Sequence, residues 1–243
     1  MKPLVLISSA VETRFGVYKP QERFDMTVET IRNLREHMPN AIIGLTEMSG
    51  NGLDVKYKDH FEELCDYFFD WTTDLDVQNI YNSPAWIENW DVVKNLTELV
   101  VFPTVFHTIT ENNILEDEGI DRVFKISGRY LLNDQFDLSA YERPEVRDKV
   151  VVGKRRPSQF PYEVTLLREQ YMSRLFSWPT ALHKDMTEWF ATGRNYMMSR
   201  LRARGYADLE HCLFYCLPKE HVYEIEDVGV FGKLAPNGQT VRD

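Results

Sequence analysis

The sequence predicts an α/β fold with a mainly parallel central sheet, and three observations support this prediction. Short apolar segments typical of buried strands alternate with amphipathic helical segments over the first half of the chain. Parallel strands need crossover connections, so this alternation indicates βαβ units. The 243 residues, 43% of them hydrophobic, suffice for one substantial core. Because no repeat, linker or low-complexity segment interrupts them, we expect a single domain covering residues 1–243.

The expected elements of the first part follow from apolar spacing and from helix-capping residues. Phe24, Val28 and Ile31 recur at helical spacing, and Ser83-Pro84 is a typical helix start, with proline in the first turn. Pro103 should kink or end the helix that follows Pro84. The expected strands are 4–9, 41–45, 67–71, 121–132 and 149–153, and the expected helices are 24–38, 55–66 and 84–102.

From about residue 160 the pattern changes to an elaboration of the sheet. "YMSRLFSWP" (171–179) has strand character, and 180–204 reads as a long helix. "DLEHCLFYCLP" (208–218) predicts a short helix capped by Asp208, with Cys212 and Cys216 on one buried face. The tail should contain a strand and then a turn at 236–238.

Composition excludes several classes of protein. The net charge of −10 argues against broad nucleic-acid binding, which draws affinity from Lys and Arg on phosphates. Three cysteines form no disulfide framework and fit a reducing compartment, so we expect a cytoplasmic protein. The N-terminal apolar run is too short for a signal peptide, and no segment is apolar for long enough to span a membrane.

Common catalytic and nucleotide-binding motifs are missing from the sequence. It contains no G-x-G-x-x-G, no P-loop, no H-E-x-x-H and no G-x-S-x-G, and its six histidines show no metal-ligand spacing. A site must therefore be sought from the positions of polar residues in the predicted fold.

Polar and cationic side chains follow the ends of several predicted strands. Ser8-Ser9 and Arg14 follow the first strand, Thr46-Glu47 the second, and Ser127-Gly128-Arg129 interrupts the segment "FKISGRYLL". In open α/β sheets, ligands bind beyond the carboxyl ends of the strands. Lys125 and Lys94 lie near the same predicted edge. A β-bulge with Lys125 and Arg129 on a solvated strand face is the alternative interpretation of this segment.

Four segments, in this order, resemble a known family. "SSAVETRFGVYKPQERFDMTVETI", "KNLTELVVF", "FKISGRYLLND" and "DLEHCLFYCL" are similar to segments of nucleotide-sugar glycosyltransferase-like proteins with a GT-A-type fold, found in bacterial polysaccharide clusters and in viral genomes. The resemblance implies a GT-A-like fold, with residues 1–155 as a nucleotide-binding half and 156–243 as an acceptor-side half. It also implies sugar transfer from a nucleotide-sugar donor to a glycan or other hydroxyl acceptor, as in polysaccharide biosynthesis.

The resemblance fails at the metal motif. Many GT-A enzymes carry Asp-x-Asp where this chain has Ser127-Gly128-Arg129, and Asp74-Leu75-Asp76 lies upstream of the usual place. We therefore expect no cofactor, although a divalent metal such as manganese remains open. The leaving diphosphate would be stabilised by cations instead. The residues expected to bind the nucleotide sugar are Ser9, Arg14, Lys94, Lys125, Ser127, Gly128 and Arg129.

Inverting transfer requires a base that deprotonates the acceptor hydroxyl. Glu210 is our candidate, because "DLEHCLF" resembles the acidic pair before the acceptor-side helix of such enzymes. Asp134, Asp137 and His211 are alternatives, and an acid in a first helical turn is also favoured by the helix dipole alone. Trp86, Trp90 and Trp178 could stack on a sugar but are more typical of packing.

Two other functions remain open at this point. A non-catalytic carbohydrate- or nucleotide-binding protein could keep the fold without the metal motif. A nucleotidyltransferase would need a Gly-rich basic loop after the first strand, and "SSAVETRFG" offers one basic residue and one late glycine.

Overall fold

A computed structural model describes residues 1–234 and 237–243 of the chain, so the expected turn at 236–238 begins outside the described residues. The strands are β1 (Pro3–Ser9), β2 (Ile42–Glu47), β3 (Tyr67–Asp70), β4 (Arg122–Ser127), β5 (Tyr130–Leu132), β6 (Val150–Gly153), β7 (Arg156–Pro157), β8 (Glu169–Gln170), β9 (Leu175–Pro179), β10 (Val222–Ile225), β11 (Val230–Lys233) and β12 (Thr240–Arg242). The α-helices are α1 (Pro20–His37), α2 (Val55–Leu64), α3 (Leu75–Asn82), α4 (Trp90–Glu111), α5 (Ile114–Asp117), α6 (Tyr162–Thr165), α7 (His183–Arg202) and α8 (Leu209–Cys216).

A seven-stranded, mostly parallel sheet forms the centre of the fold, in the order β10-β6-β9-β4-β1-β2-β3. Strands β1 to β4 run parallel to one another, and β9 is antiparallel to both β4 and β6. The register places Ser8 opposite both Thr46 and Ser127, and Ser9 opposite Glu47. The polar residues at these strand ends therefore meet at one edge of the sheet. This confirms the predicted α/β class.

A hydrophobic layer covers each face of the sheet, so the central strands are buried on both faces. Alternate residues of β1 point to opposite layers: Leu4 and Leu6 pack with α4, α7 and α8, whereas Val5 and Ile7 pack with α1 and α2. None of the helices within residues 1–234 and 237–243 is long and apolar enough to cross a membrane.

The region between β3 and α4 differs from the prediction. Residues 75–82 form helix α3, capped by the Asp74 carboxylate, which accepts from the Asp76 and Val77 amides. The next helix begins at Trp90 rather than Pro84, with Asn89 as its cap. It then continues through Pro103 to Glu111 without interruption. Packing of its buried Leu99, Phe102 and Phe106 against the core outweighs the one helical hydrogen bond that proline removes.

Arg122 is a fully buried arginine that joins β4 to the chain before β6. Its guanidinium donates to Ser177 Oγ at 3.0 Å and to the carbonyls of Val146 at 3.1 Å, Arg147 at 2.7 Å and Lys149 at 3.1 Å. Burial lowers the pKa of Arg122 to about 10, so the side chain stays charged at neutral pH. Arg122 thus satisfies polar groups that would otherwise be buried unpaired.

We predict that Arg122→Met lowers the free energy of unfolding by about 2–5 kcal/mol, because the buried acceptors lose their donor and methionine cannot replace it. Urea denaturation followed by circular dichroism measures the change. Arg32→Met, at an exposed position of α1, is the matched control and should stay within about 0.5 kcal/mol of wild type. Equal stability of the two variants would contradict the prediction.

Candidate active site

A cavity of about 250 Å³ opens at the edge of the sheet where β1 and β4 end. Of the residues expected to form a donor and acceptor site, it brings together Ser9, Lys94, Ser127, Arg129 and Glu210. Arg14, Lys125 and Gly128 do not line it. The walls come from the loop after β1, from α1, the start of α4, the β4–β5 turn, residues 159–174 and the start of α8. Its other lining residues are Ser8, Ala10, Thr13, Phe15, Gly16, Arg23, Met48, Tyr81, Trp90, Asp91, Thr97, Glu98, Tyr130, Gln159, Gln170, Met172, Arg174, Asp208 and Leu234.

The segment 127–129 is a corner between two sheets and not a bulge within one strand. β4 ends at Ser127, and β5 joins β11 and β12 in a separate three-stranded sheet. The Gly128 amide donates to the Ser8 carbonyl at 2.9 Å, and the Thr27 hydroxyl donates to the Gly128 carbonyl at 3.2 Å. A Cβ on Gly128 would lie 2.8 Å from Thr27 Oγ1. In the structure the glycine therefore accommodates helix α1, and the corner projects Arg129 into the cavity.

Two guanidinium groups face the cavity close to each other. Arg129 is half-buried, its buried Nε has no hydrogen-bond partner, and it forms no ion pair with any described residue. Arg23 donates to the carbonyls of Tyr18 and Phe15, at 3.2 Å and 2.5 Å. Burial, followed by the nearby charge of Arg129, lowers the pKa of Arg23. This wall of the cavity is thus positively charged and incompletely neutralised.

Lys125 does not reach the cavity because it is committed to a buried ion pair. Its ammonium contacts the Glu98 carboxylate and lies 5.4 Å from the centre of the Phe102 ring. Burial opposes ionisation of Glu98, but the charges of Lys125 and Lys94 outweigh it, so the pKa of Glu98 lies below its ordinary value. The pair links α4 to β4 directly beneath the cavity.

Lys94 and Glu210 both line the cavity and lie near each other, on a different wall from Arg23 and Arg129. Burial disfavours the charge of Lys94, but the carboxylates of Glu210 and Glu98 reverse this effect and raise its pKa. Burial and then the neighbouring Asp208 raise the pKa of Glu210, while Lys94 and the Ser173 hydroxyl, 2.5 Å away, oppose the shift. Glu210 is therefore a carboxylate of increased basicity at the cavity wall, as a general base requires.

Asp208 and His211 support this wall from behind. Asp208 caps α8, accepting from the His211 amide at 3.0 Å and from His211 Nδ1 at 2.5 Å. His211 Nε2 lies 2.8 Å from Ser158 Oγ, which also bonds the Phe160 carbonyl. The fully buried His211 fixes the loop after β7 to α8 and does not reach the cavity.

The loop after β1 is held by a buried carboxylate. Glu47 Oε1 accepts from the Val11 amide at 3.0 Å and from the Ser49 amide and hydroxyl, at 3.1 and 2.7 Å. Burial raises the pKa of Glu47. Arg14 bonds the carbonyls of Tyr81 and Ile87, the latter at 2.8 Å, instead of pairing with an acid. Arg14 thus ties the segment before α4 to this loop.

The remaining candidates lie outside the cavity or in the core. Asp137 caps a 3-10 helix through the Ser139 amide, and neither it nor Asp134 lines the cavity. Asp74 serves as the cap of α3. Trp178 is fully buried, whereas Trp90 is 40% exposed at the cavity rim.

Several cavity residues, most importantly Arg23, were not predicted from the sequence. Arg23 precedes Thr27 by four residues and Ile31 by eight, so it shares the buried side of α1, and this spacing was a usable signal. Asp91 stands one turn before Asn95, whose amide donates to it at 3.0 Å. Gln159 and Gln170 lie in or near β7 and β8, strands of two residues that are too short to leave a periodic signal. Arg174 lies in the segment 171–179 expected as a strand, but β9 begins only at Leu175.

No family model matches the chain, and no curated protein sequence matches it. Among solved structures it is similar to core-mannan synthase A from Aspergillus fumigatus in the Mn/GDP form, with a TM-score of 0.52 and 10% sequence identity. The alignment covers 93% of this chain and 73% of that one. The chain has a GT-A-like fold. At this identity the similarity shows the fold and does not define the family.

The prediction of no cofactor is wrong in light of this comparison, because the glycosyltransferase with the similar fold is described with manganese and GDP. The described residues of this chain do not by themselves fit a metal site. Within 1–234 and 237–243, no three His, Cys, Asp or Glu side chains are grouped as metal ligands. Of the cavity carboxylates, Glu98 is committed to Lys125, and Asp208 to His211 and Gln159.

The buried Lys125–Glu98 pair yields a stability prediction. Lys125→Met should lower the free energy of unfolding by about 3–5 kcal/mol, because it removes the direct ion-pair partner of the buried Glu98 carboxylate. The double variant Lys125→Met/Glu98→Gln should recover part of this loss, since no charge remains. Chemical denaturation at pH 7 measures both changes.

The matched control for this pair is Lys154→Met, which breaks the exposed pair between Lys154 and Glu226, 2.6 Å apart. Solvent screens that pair, so its loss should affect stability much less. A double variant less stable than Lys125→Met alone would contradict the proposed electrostatic cause.

Proposed function

We propose that the protein is a glycosyltransferase that moves a sugar from a nucleotide-sugar donor to a hydroxyl group of a glycan or other acceptor. The observation that carries the proposal is the Arg129 guanidinium, half-buried at the carboxyl edge of the sheet with an unpartnered Nε and with Arg23 beside it. The GT-A-like fold supports a nucleotide sugar as the anion that this pair binds.

The electrostatics favour a bound phosphate at this position. Two neighbouring guanidiniums without a carboxylate partner for Arg129 are costly in a partly desolvated site unless an anion binds there. Arginine binds phosphate oxygens bidentately, and a diphosphate carries enough charge for both groups. The hydroxyls of Ser127 and Ser9, which also line the cavity, can donate to the same ligand. In this proposal Arg14 and Lys125 do not bind the donor but hold the cavity walls in place.

The opposite wall provides the groups that the transfer step requires. Glu210 accepts the proton of the acceptor hydroxyl as its oxygen forms a bond to the anomeric carbon. The bond from that carbon to the donor phosphate breaks, and the electron pair leaves with the nucleoside diphosphate. Arg129 and Arg23 stabilise the negative charge that develops on the leaving group. Attack opposite to the leaving group inverts the anomeric configuration.

We further propose that the two halves of the chain divide these tasks. Residues 1–155 supply the serines and arginines of the donor wall, and residues 156–243 supply Glu210. Helix α4 belongs to the first half but contributes Lys94 to the second wall, so the division is not strict.

We predict that one class of nucleotide sugar raises the melting temperature of the wild type and that Arg129→Ala removes most of this increase. A ligand at about 100 times its dissociation constant adds about 2.7 kcal/mol of stability, which a thermal-shift assay detects readily. The panel comprises UDP-, GDP-, ADP-, CMP- and dTDP-sugars, each measured with Mn²⁺ and with EDTA to determine the metal requirement. The Arg129 side chain makes no hydrogen bond to a described residue, so its removal should leave the fold intact.

Arg202→Ala, at an exposed position in the last turn of α7, is the control and should retain the full increase. If no nucleotide sugar stabilises the wild type under either metal condition, the donor site is refuted. If a donor binds but is neither transferred nor hydrolysed with any hydroxyl acceptor, the protein is a binding protein and not an enzyme.

Glu210→Gln should lower kcat by about 10²–10⁴-fold, as expected for loss of a general base, and should leave donor binding unchanged. Glutamine can still accept the Ser173 hydrogen bond. The pKa of Glu210 is raised above its ordinary value of 4.5, and a base acts only when deprotonated, so kcat of the wild type should fall as pH decreases through that raised pKa. Steady-state kinetics from pH 4 to 8 measure this limb. A Glu210→Gln variant with unchanged kcat would exclude Glu210 as the base.

A further inference from the structure

The charges that line the cavity are separated by sign. Arg23 and Arg129 lie together at the ends of β1 and β4, where the charge of Arg129 contributes to lowering the pKa of Arg23. A second wall, built from the first three turns of α4 and the start of α8, carries the carboxylates of Asp91, Glu98, Asp208 and Glu210. Among the described residues, Lys94 and the buried Lys125 offset these charges, and Arg129 also acts on Glu98. Arg174, a further cation at the cavity, is paired with Asp243.

Hydrogen bonds hold this carboxylate wall together. Asn95 Nδ2 donates to Asp91 Oδ1 at 3.0 Å and to the Tyr206 hydroxyl at 2.8 Å, while Asn95 Oδ1 accepts from the Leu209 amide at 3.3 Å. Asn95 thereby joins the start of α4 to the start of α8. The wall is therefore a fixed, carboxylate-rich surface and not a set of mobile side chains.

The carboxylates of this wall affect one another's pKa values, and these effects indicate how the wall interacts with a further negative charge. Burial is the larger cause of the raised pKa values of both Asp91 and Glu210, and in each case the nearby charge of Asp208 adds to it. A phosphate or carboxylate on the acceptor would meet the same repulsion, and Lys94 is already shared between Glu210 and Glu98. Hydroxyl groups, by contrast, donate well to carboxylates, and the amides of Gln159 and Gln170 line the same region.

We propose that the acceptor is a neutral polyhydroxyl compound, one without a phosphate or carboxylate close to the attacked hydroxyl. This inference rests on the proposed function and extends it to the class of acceptor. The two walls then match the two substrates: the arginines bind the anionic donor, and the carboxylates bind hydroxyls of the acceptor and repel anionic competitors. Trp90 at the rim offers an aromatic face to a sugar ring.

The test compares acceptors in matched pairs, using the donor found by the thermal-shift panel. Methyl glucoside, galactoside and mannoside are each compared with the corresponding uronate and 6-phosphate, and kcat/KM is measured from release of the nucleoside diphosphate. For the acceptors that are used, we expect the neutral member to be favoured by about tenfold or more, because like charges in a binding site are strongly disfavoured. An anionic member that is used as well as its neutral partner would overturn the inference.

A charge variant tests the cause of the preference. Asp91→Asn keeps an oxygen for the Asn95 hydrogen bond but removes one charge, so it should narrow the ratio of neutral to anionic kcat/KM. Glu88→Gln removes an exposed carboxylate outside the cavity and should leave the ratio unchanged. An unchanged ratio in Asp91→Asn would overturn the electrostatic explanation.

Failure of this inference is distinguishable from failure of the proposed function. Donor binding with transfer to a phosphorylated acceptor in preference to the neutral one refutes the acceptor class alone. Absence of any donor-induced stabilisation refutes the transferase itself.

Discussion

The buried contact between Lys125 and Glu98 is the interaction on which the arrangement of the cavity depends. Lys125 belongs to β4 and Glu98 to α4, so the pair connects the strand that ends at the cationic wall with the helix that begins the carboxylate wall. Both charges are buried and each is the direct ion-pair partner of the other, so loss of either partner would be strongly unfavourable. The two elements are therefore held in one relative position, with Lys94 one helical turn before Glu98 facing the cavity.

Two walls of opposite charge arise from different structural origins. The cationic wall comes from the corner after β4 and from the crossover helix α1, which are joined by the hydrogen bond from the Thr27 hydroxyl to the Gly128 carbonyl. Three residues of the carboxylate wall, Asp91, Asp208 and Glu210, lie at two helix starts, where acidic residues also interact favourably with the helix dipole, and Glu98 lies further along α4. Asp208 has three effects at such a position: its carboxylate caps α8, binds His211 and raises the pKa of Glu210.

The sequence predicted the sheet well because buried strands and amphipathic helices leave periodic patterns. Ser9, Ser127 and Arg129 were predicted from their places at strand ends, and Glu210 from the resemblance of its segment to the acidic pair of glycosyltransferases. All four line the cavity. Lys125 looked identical to a ligand-binding cation, since the sequence does not indicate that Glu98, 27 residues away, neutralises it. Arg23 was not predicted as a cavity residue because a single arginine in an amphipathic helix normally lies in solvent. Helix α3 was missed because Asp74-Leu75-Asp76 was interpreted as a polar loop or a displaced Asp-x-Asp motif, and not as the start of a helix.

The corner at Ser127-Gly128 has a consequence for how the site is built during synthesis. Because β5 leaves the central sheet, its only strand partner among the described residues is β11, about a hundred residues later in the chain. Gly232 of β11 packs directly on the backbone of Arg129, where a Cβ would lie 2.4 Å from the Arg129 carbonyl oxygen. A nascent chain can form β1 to β4 early, but the support behind Arg129 is completed only after β11 has left the ribosome. The strands that carry this corner can thus form before Arg129 reaches its final position.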